Sequence, residues 1–274
     1  MVRVLAPNPG LFTLEGTNTW VLGADGCLVI DPGPDDPGHL DAILAAAGRI
    51  TAILLTHAHP DHAAGAEPLA RRSGAPVLAA SPDEGRRPIR DGDRAAGGQV
   101  TLEVVSAPGH SQDHVVFFHP GTRALFTGDT VLGRGTSVID PPDGDLSDYL
   151  RSLRRMRRLR PRVIYPGHGP VVDRASERID GYLSHRQERE EQILRALAPG
   201  PATPGDLLPE IYAEYPMELR PAASRSVLAH LLKLEGEGRV VRRGGDRFEL
   251  VLSSGSGSWS TTNQGNASST GRTT

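Results

Sequence analysis

The sequence has little cysteine, almost no lysine and no long apolar run. Its 274 residues contain one cysteine, Cys27, which excludes an intramolecular disulfide and a cysteine-based metal cluster. No run of about 18 consecutive apolar residues predicts a membrane span, and the first ten residues lack the layout of a signal peptide. We therefore expect a cytoplasmic protein that has no membrane partner.

The charge balance is slightly acidic, with a formal net charge of −3, so the chain as a whole is not basic. Lys233 is the only lysine, and this bias together with abundant Ala, Gly and Pro is typical of a GC-rich bacterial genome. One dense arginine run without acidic residues spans 151–162. It could bind an RNA backbone, but apolar residues at helical spacing within it favour the solvated face of an amphipathic helix.

Short β-like runs alternate with helical segments in the first part of the chain, which predicts a layered α/β arrangement. Helices are predicted at 37–47, 62–73 and 145–159. The predicted strands are 2–5, 19–22, 27–30, 53–56, 77–80, 100–105, 115–118, 125–127 and 163–165.

The pattern changes near residue 180. Helices are predicted at 182–198, 204–215 and 221–234, followed by strands at 239–242 and 247–252 that a Gly-Gly-Asp turn joins into a hairpin. Three helices and a hairpin are the layout of a winged helix. The remaining residues are polar and patternless, which predicts disorder. We therefore divide the chain into an α/β domain (1–180), a winged-helix-like domain (181–252) and a disordered tail (253–274).

The segment 56–62, Thr-His-Ala-His-Pro-Asp-His, follows an apolar run and indicates a metal site. His57 and His59 are two residues apart on extended backbone, so their side chains project to the same side. Asp61 and His62 come where the chain turns toward a helix. A single histidine is more often an ordinary residue than a ligand, but four ligand-type side chains in six positions favour a metal, and a carboxylate among histidines is common at catalytic zinc.

Three later residues repeat the same pattern of apolar strand, turn and ligand-type side chain beside a glycine: His110, Asp129 and His168. Five histidines and two aspartates are too many for one tetrahedral ion and suit two divalent ions, with zinc as the first choice. Two such ions lower the pKa of a shared water, so a metal-bridging hydroxide can be the nucleophile without a Ser or Cys triad. We expect Asp61 to orient this nucleophile.

The order HxHxDH, His, Asp, His resembles the metallo-β-lactamase superfamily over about residues 1–180. The resemblance implies a four-layered αβ/βα sandwich with two metal ions and one bridging carboxylate. The implied ligands are His57, His59 and His110 for one ion, Asp61, His62 and His168 for the other, and Asp129 between them. An aspartate at 129 resembles the glyoxalase II and nuclease branches, and β-lactam hydrolysis is disfavoured because the cysteine ligand of the commonest β-lactamases is missing.

Further motifs resemble the β-lactamase-like protein 2 family, of which one animal member is a mitochondrial single-strand endoribonuclease. The matching stretches are 16–19, 108–114, 128–133, 165–170 and 184–186. With the winged-helix layout, the resemblance extends over about residues 10–252 and implies a hydrolase of single-stranded RNA.

Two other functions stay open. One is a glyoxalase II-like thioesterase or esterase that acts on a small acyl substrate. The other is a non-enzymatic nucleic-acid-binding protein whose winged helix works on an inert scaffold, although seven filled ligand positions argue against it.

Three residues outside the ligand set are candidates for supporting roles. Asp31, at the end of a predicted strand, is placed to accept a hydrogen bond from a ligand imidazole, or it only forms a turn before Pro32. His185 and Arg186 lie where the first domain is predicted to end. They either bind an anionic substrate or form hydrogen bonds at a helix start.

Overall fold

The fold was determined as a computed structural model, which describes residues 1–81, 85–214 and 216–251. The predicted disordered tail, 253–274, lies outside these residues. The described chain forms two large sheets, seven α-helices and a short hairpin. The first sheet has the order β1 (Val2–Leu5), β2 (Asn18–Leu22), β3 (Cys27–Ile30), β4 (Ile50–Leu54), β5 (Val77–Ala79) and β6 (Arg87–Pro88). The second sheet has the order β11 (Val163–Pro166), β10 (Ala124–Gly128), β9 (Val115–His119), β8 (Val100–Ser106) and β7 (Arg94–Gly97).

The helices are α1 (Pro37–Ala47), α2 (Pro60–Ala63), α3 (Ala66–Ser73), α4 (Leu146–Arg158), α5 (Ala175–Ala196), α6 (Pro204–Ile211) and α7 (Arg220–Gly236). Helices α1 to α3 cover the outer face of the first sheet, α4 and α5 cover that of the second, and α6 and α7 belong to the C-terminal part. Because strand side chains alternate between faces, Val21 of β2 packs in the core beside α1 whereas Trp20 and Leu22 pack in the core between the sheets. A third core joins the second sheet to α4 and α5. These layers form the four-layered sandwich that the resemblance to the metallo-β-lactamase superfamily implies.

Helix α4 agrees with its sequence pattern to within one residue at each end. The Asp145 side chain caps it by accepting a hydrogen bond from the backbone N–H of Asp148. Tyr149, Leu153 and Met156 recur at helical spacing and are fully buried against the second sheet. The arginines therefore lie on the outer face.

The arginine run leads away from the end of the sandwich where the predicted ligands meet. The Arg160 carbonyl accepts a hydrogen bond from the guanidinium of Arg123, and the Arg162 N–H donates to the Arg123 carbonyl at 2.9 Å. Arg123 precedes β10, and Asp129 follows the other end of that strand. Three arginines of the run form ion pairs with acids: Arg151 with Asp148, Arg155 with Asp91, and Arg157 with Asp180.

The C-terminal part forms the predicted winged helix. The end of α5 packs with α6, α7 and the hairpin of β12 (Val240–Arg242) and β13 (Phe248–Leu250) around a separate apolar core. A capping box between Thr203 and Asp206 starts α6. The predicted domain boundary at residue 180 falls inside α5, which continues unbroken from one core to the other. No helix among the described residues is both long enough and apolar enough to cross a membrane.

Candidate metal centre

The seven predicted ligands lie together at one end of the sandwich. Strands β3 and β4 are parallel, as are β10 and β11, so the segments that follow them emerge at the same edge. The His57–His62 segment follows β4, Asp129 follows β10 and His168 follows β11, while His110 lies in the loop that joins β8 to β9.

The seven side chains form two groups, and within each group the ligand atoms lie within 4.8 Å of one another. The first group is His57, His59 and His110, and the second is Asp61, His62, Asp129 and His168. Asp129 lies between them: its Oδ1 is 3.4 Å from Nε2 of both His62 and His168, and its Oδ2 is 3.8 Å from His110 Nε2. This is the place that a bridging carboxylate would need.

The outward nitrogen of most of these rings has a hydrogen-bond partner, which fixes the orientation of the ring. His62 Nδ1 is 3.0 Å from Asp31 Oδ2, His110 Nδ1 is 2.8 Å from the Val138 carbonyl, and His168 Nδ1 is 3.2 Å from the Gly16 carbonyl.

His57 is oriented through a relay. The Thr56 hydroxyl donates to Asp31 and can then accept from His57 Nδ1, which is 2.9 Å away. His59 is turned the other way, with Nδ1 facing His110 and Nε2 3.6 Å from Asp143 Oδ2.

The inward atoms fit a cation. Two buried atoms, His57 Nε2 and Asp129 Oδ1, have no hydrogen-bond partner. The Nε2 atoms of His62 and His168 are 3.2 Å apart. Acceptors face the outward nitrogens of both rings, so the two inward nitrogens, once free of their protons, could bind one metal ion between them.

The pKa shifts of His57 and Asp129 agree with this fit. Burial lowers the pKa of His57 well below its ordinary value, and this keeps the ring neutral, as a metal ligand must be. Burial opposes ionisation of Asp129, but the adjacent imidazoles of His62 and His168 outweigh it and hold the pKa of that carboxyl well below its usual range. His57 is therefore neutral and Asp129 is ionised. At His62 and His168 burial lowers the pKa, but the neighbouring carboxylates outweigh burial and raise it, to about 9 for His168, so a metal ion bound by these rings would displace a proton from each.

Two positions beside the ligands, Gly128 and Gly167, have no room for a side chain. A Cβ at Gly167 would lie 2.6 Å from Cε1 of His62 and 2.7 Å from Oδ1 of Asp129. At Gly128, where φ is +45°, a Cβ would lie 2.4 Å from the Thr56 hydroxyl. The strands that carry Asp129 and His168 could not approach the His62 ring with larger residues at these positions.

His114, which is outside the predicted ligand set, supports the centre from behind. Its Nε2 accepts a hydrogen bond from the Asp129 N–H at 3.2 Å, and its ring stacks on His57 at a centroid distance of 4.7 Å. Sequence reasoning missed the carbonyl partners, Val138 and Gly16, because a backbone acceptor carries no residue-type signal. Thr56 had a detectable signal, because it directly precedes the histidine motif.

The predicted substrate residues lie on α5. Arg186 is buried, its guanidinium donates to the Ser137 carbonyl, and it lies 5.2 Å from the centre of the Tyr149 ring. His185 is half-buried, and burial lowers its pKa to about 4. Substrate binding by this pair stays a prediction.

Comparison with known proteins identifies the family. The model of the metallo-beta-lactamase superfamily matches residues 12–87 and 78–168. The chain belongs to the metallo-beta-lactamase superfamily. As a member of this superfamily, it is a metal-dependent hydrolase. The beta-lactamase associated winged helix domain matches residues 203–247, within the predicted winged-helix-like domain.

Relatives of this metallo-beta-lactamase superfamily member carry different names. A beta-lactamase-like protein 2 homolog from Caenorhabditis elegans is 35% identical over 94% of this chain and 91% of its own length. An atrochrysone carboxyl ACP thioesterase from Aspergillus fumigatus is 37% identical over 80% of this chain and 75% of its own length. A protein crystallised in a di-iron-bound form is 30% identical, with a TM-score of 0.54 over 65% of this chain and 96% of its own.

Proposed function

We propose that this protein is a two-metal hydrolase that cleaves acyl thioesters or related esters. The observation that carries the metal-dependent chemistry is the pair of His/Asp groups with Asp129 between them. His57, His59 and His110 would hold one divalent ion, Asp61, His62 and His168 the other, and Asp129 would bridge. Zinc is our first choice, with iron or manganese as alternatives for such ligands, and a solved relative holds two irons.

Two divalent ions bound there would lower the pKa of a water molecule and polarise the oxygen of the scissile group. Asp61 lies at the edge of the centre, with Oδ2 3.2 Å from His168 Nε2 and its side chain 31% exposed. Burial opposes its ionisation, but the imidazoles of His168 and His62 outweigh burial and lower the pKa of the carboxyl. We assign Asp61 the role of orienting the attacking water and accepting its proton.

Two observations favour an acyl substrate. Relatives at up to 40% identity are named as acyl-carrier-protein thioesterases. The loop between β1 and β2, whose Gly16 carbonyl contacts His168, also carries Leu11 and Phe12, which are 60% and 56% exposed. Exposed apolar side chains on a loop that contacts a metal ligand suit the apolar part of an acyl substrate better than a phosphate backbone.

Single-stranded RNA is the second candidate. The beta-lactamase-like protein 2 homologs match over as much as 94% of the chain, including the winged helix, and the arginine run offers a phosphate-binding surface. The position of Arg160 and Arg162 at the end of β10 that lies away from Asp129, and the three ion pairs of the run, weaken this candidate. A non-enzymatic nucleic-acid-binding role is the third and receives least support, because the ligand set is complete. Composition alone supports our further proposal of a bacterial, cytoplasmic setting.

A side-by-side assay tests the proposal. Zinc-loaded protein would be given S-lactoylglutathione, short and long acyl thioesters, and a labelled RNA oligonucleotide. We expect thioester hydrolysis that Asp129→Ala abolishes, and no RNA cleavage. RNA cleavage that Asp129→Ala abolishes, with inert thioesters, would favour the second candidate instead. A metal-loaded protein that hydrolyses neither class would favour the third.

A matched pair of substitutions tests the acyl contact. Phe12→Ala should raise the KM for long acyl thioesters more than for short ones. The control is Met217→Ala, which removes another exposed apolar side chain, 68% exposed, from the C-terminal domain. Equal KM values for Phe12→Ala and the unaltered protein on every thioester would remove Phe12 from the substrate site.

A further inference from the structure

One loop, residues 137–145, contacts three of the predicted ligands. The Val138 carbonyl accepts from His110, the Ser137 hydroxyl lies within hydrogen-bonding distance of the Asp129 carbonyl, and Asp143 Oδ2 is 3.6 Å from His59 Nε2. Two of these ligands belong to the first metal group, and the third is the bridging carboxylate. The two histidines of the second group depend on other parts of the chain, because Asp31 holds His62 and Gly16 holds His168.

The 137–145 loop is fastened by arginines from two helices that follow it in sequence. Arg186 of α5 reaches the Ser137 carbonyl from a buried position and packs over the Tyr149 ring. Arg225 of α7 binds the Asp140 carboxylate and the Pro141 carbonyl, but its side chain is 44% exposed. A charged hydrogen bond that is shielded from water holds its partner more firmly than an exposed ion pair, so Arg186 is the firmer of these two restraints.

We propose that Arg186 is a positioning residue for the first metal group, and that it acts through Ser137 and Val138. Its planar guanidinium fixes the start of the 137–145 loop, and this fixes the carbonyl that orients His110 and the hydroxyl beside Asp129. The inference rests on the proposed two-metal function. It assigns Arg186 to the support of the metal centre, whereas the sequence predicted a contact with substrate.

Helix α5 provides a matched control one turn later. The guanidinium of Arg189 donates to the Ile211 carbonyl at 2.7 Å and lies 4.1 Å from the centre of the Tyr212 ring. Both arginines are buried, and each donates to a backbone carbonyl and packs over a tyrosine ring; Arg189 also donates to Gln192 Oε1 at 2.7 Å. They differ in target, because Arg189 holds the winged-helix domain and Arg186 holds the 137–145 loop.

The test is a zinc titration of metal-free, full-length protein by calorimetry. The unaltered protein should bind two equivalents. Arg186→Met should weaken one of the two sites by about 10- to 100-fold, as loss of outer support for metal ligands typically does, and leave the other unchanged. Arg189→Met should bind both equivalents normally, even if it lowers the melting temperature as much. Arg186→Lys, which keeps the charge without the planar fork, should give an intermediate result.

A double variant identifies the weakened site. In a His59→Ala background, which already disables the first group, Arg186→Met should not weaken the remaining site further. The inference is overturned if Arg186→Met and Arg186→Lys bind two equivalents with unchanged affinity, if both sites weaken equally, or if Arg189→Met has the same effect. A different result, failure of the unaltered protein to bind two equivalents, would refute the proposed function itself.

Discussion

The carboxylate of Asp31 holds the ring of His62, with Asp31 Oδ2 3.0 Å from His62 Nδ1. The same carboxylate accepts hydrogen bonds from the Thr56 backbone N–H and hydroxyl, both at 2.8 Å. One buried side chain at the end of β3 therefore fixes the chain after β4 and orients a ligand of the second metal group. Asp31 has a φ of +50°, which is unusual for a residue other than glycine.

Replacement of Asp31 should affect the second metal group most, because Asp31 contacts His62 directly and reaches His57 of the first group only through Thr56. In Asp31→Ala, the His62 ring loses its outer partner and the Thr56 N–H is left buried without an acceptor. We expect affinity for one of two zinc ions to fall by about 10- to 100-fold and the free energy of unfolding to fall by about 1–3 kcal/mol. Zinc titration and denaturant unfolding of the metal-free protein would measure the two effects.

A matched control is Asp36→Ala. Asp36 caps α1 by accepting from the His39 N–H at 2.7 Å, outside the metal centre. Its loss should cost about 1 kcal/mol of stability without any change in zinc affinity. Equal zinc affinity in Asp31→Ala and the unaltered protein would show that the contact is structural only.

Gly167→Ala should destroy the metal centre without unfolding the protein. Its Cβ would lie 2.6 Å from the His62 ring, and neither that ring nor Asp129 can move without leaving its position. We expect loss of at least one zinc equivalent together with a near-native circular dichroism spectrum.

The control for this substitution is Gly181→Ala. Gly181 lies on the exposed face of α5, where an added Cβ meets no other atom within 4 Å. Alanine there should stabilise the helix by about 0.5–1 kcal/mol and leave metal binding unchanged. Normal zinc stoichiometry in Gly167→Ala would contradict the crowding argument.

The sequence was most informative where local pattern and burial coincide. Helix α4 was predicted to within one residue at each end because its cap and its apolar spacing are both local signals. Strand β7, Arg94–Gly97, was not predicted because Arg-Ala-Ala-Gly has no β pattern, and it forms by antiparallel pairing with β8. The helix predicted at 62–73 is two helices that meet at Gly65, whose N–H donates to the Gly33 carbonyl.

In the metal centre, too, local sequence signals could be recognised and long-range contacts could not. The seven ligand-type side chains could be found from their order, and the structure brings all seven together. The 137–145 loop could not be found, because its contacts with the ligands depend on how α5 and α7 pack back onto the first domain. Arg186 was singled out from sequence, but its partner, the Ser137 carbonyl, is 49 residues away and is set by that packing.

Acid should destabilise the contact between α5 and α7. His230 of α7 is 1% exposed, and burial together with the positive charges of Arg186, Lys233 and Arg189 lowers its pKa well below the ordinary value. The unfolded chain takes up a proton below about pH 6.5 and the folded chain does not. The contribution of His230 to stability is therefore constant above this pH and falls below it, by up to about 1.4 kcal/mol per pH unit.

His230→Leu removes that proton uptake. Denaturant unfolding of both metal-free proteins between pH 7 and pH 5 should give a smaller loss of stability for the variant, by about 1–2 kcal/mol at pH 5. The metal-ligand side chains also titrate in this range, but they do so in both proteins. The difference between the two pH profiles of stability therefore comes from His230. Identical pH profiles would show that His230 is protonated in the folded protein as easily as in the unfolded one.

Removal of metal should destabilise the whole sandwich. The buried His57 Nε2 and Asp129 Oδ1 have no other partner, so a metal ion that satisfies them binds the folded state and not the unfolded one. At zinc concentrations near 1,000 times Kd, each site should add about 4 kcal/mol to the free energy of unfolding. For one site this corresponds to a rise in melting temperature of about 10 °C. A chelator should reverse the rise, Asp129→Ala should lose most of it, and a melting temperature indifferent to both zinc and chelator would exclude a metal centre at these residues.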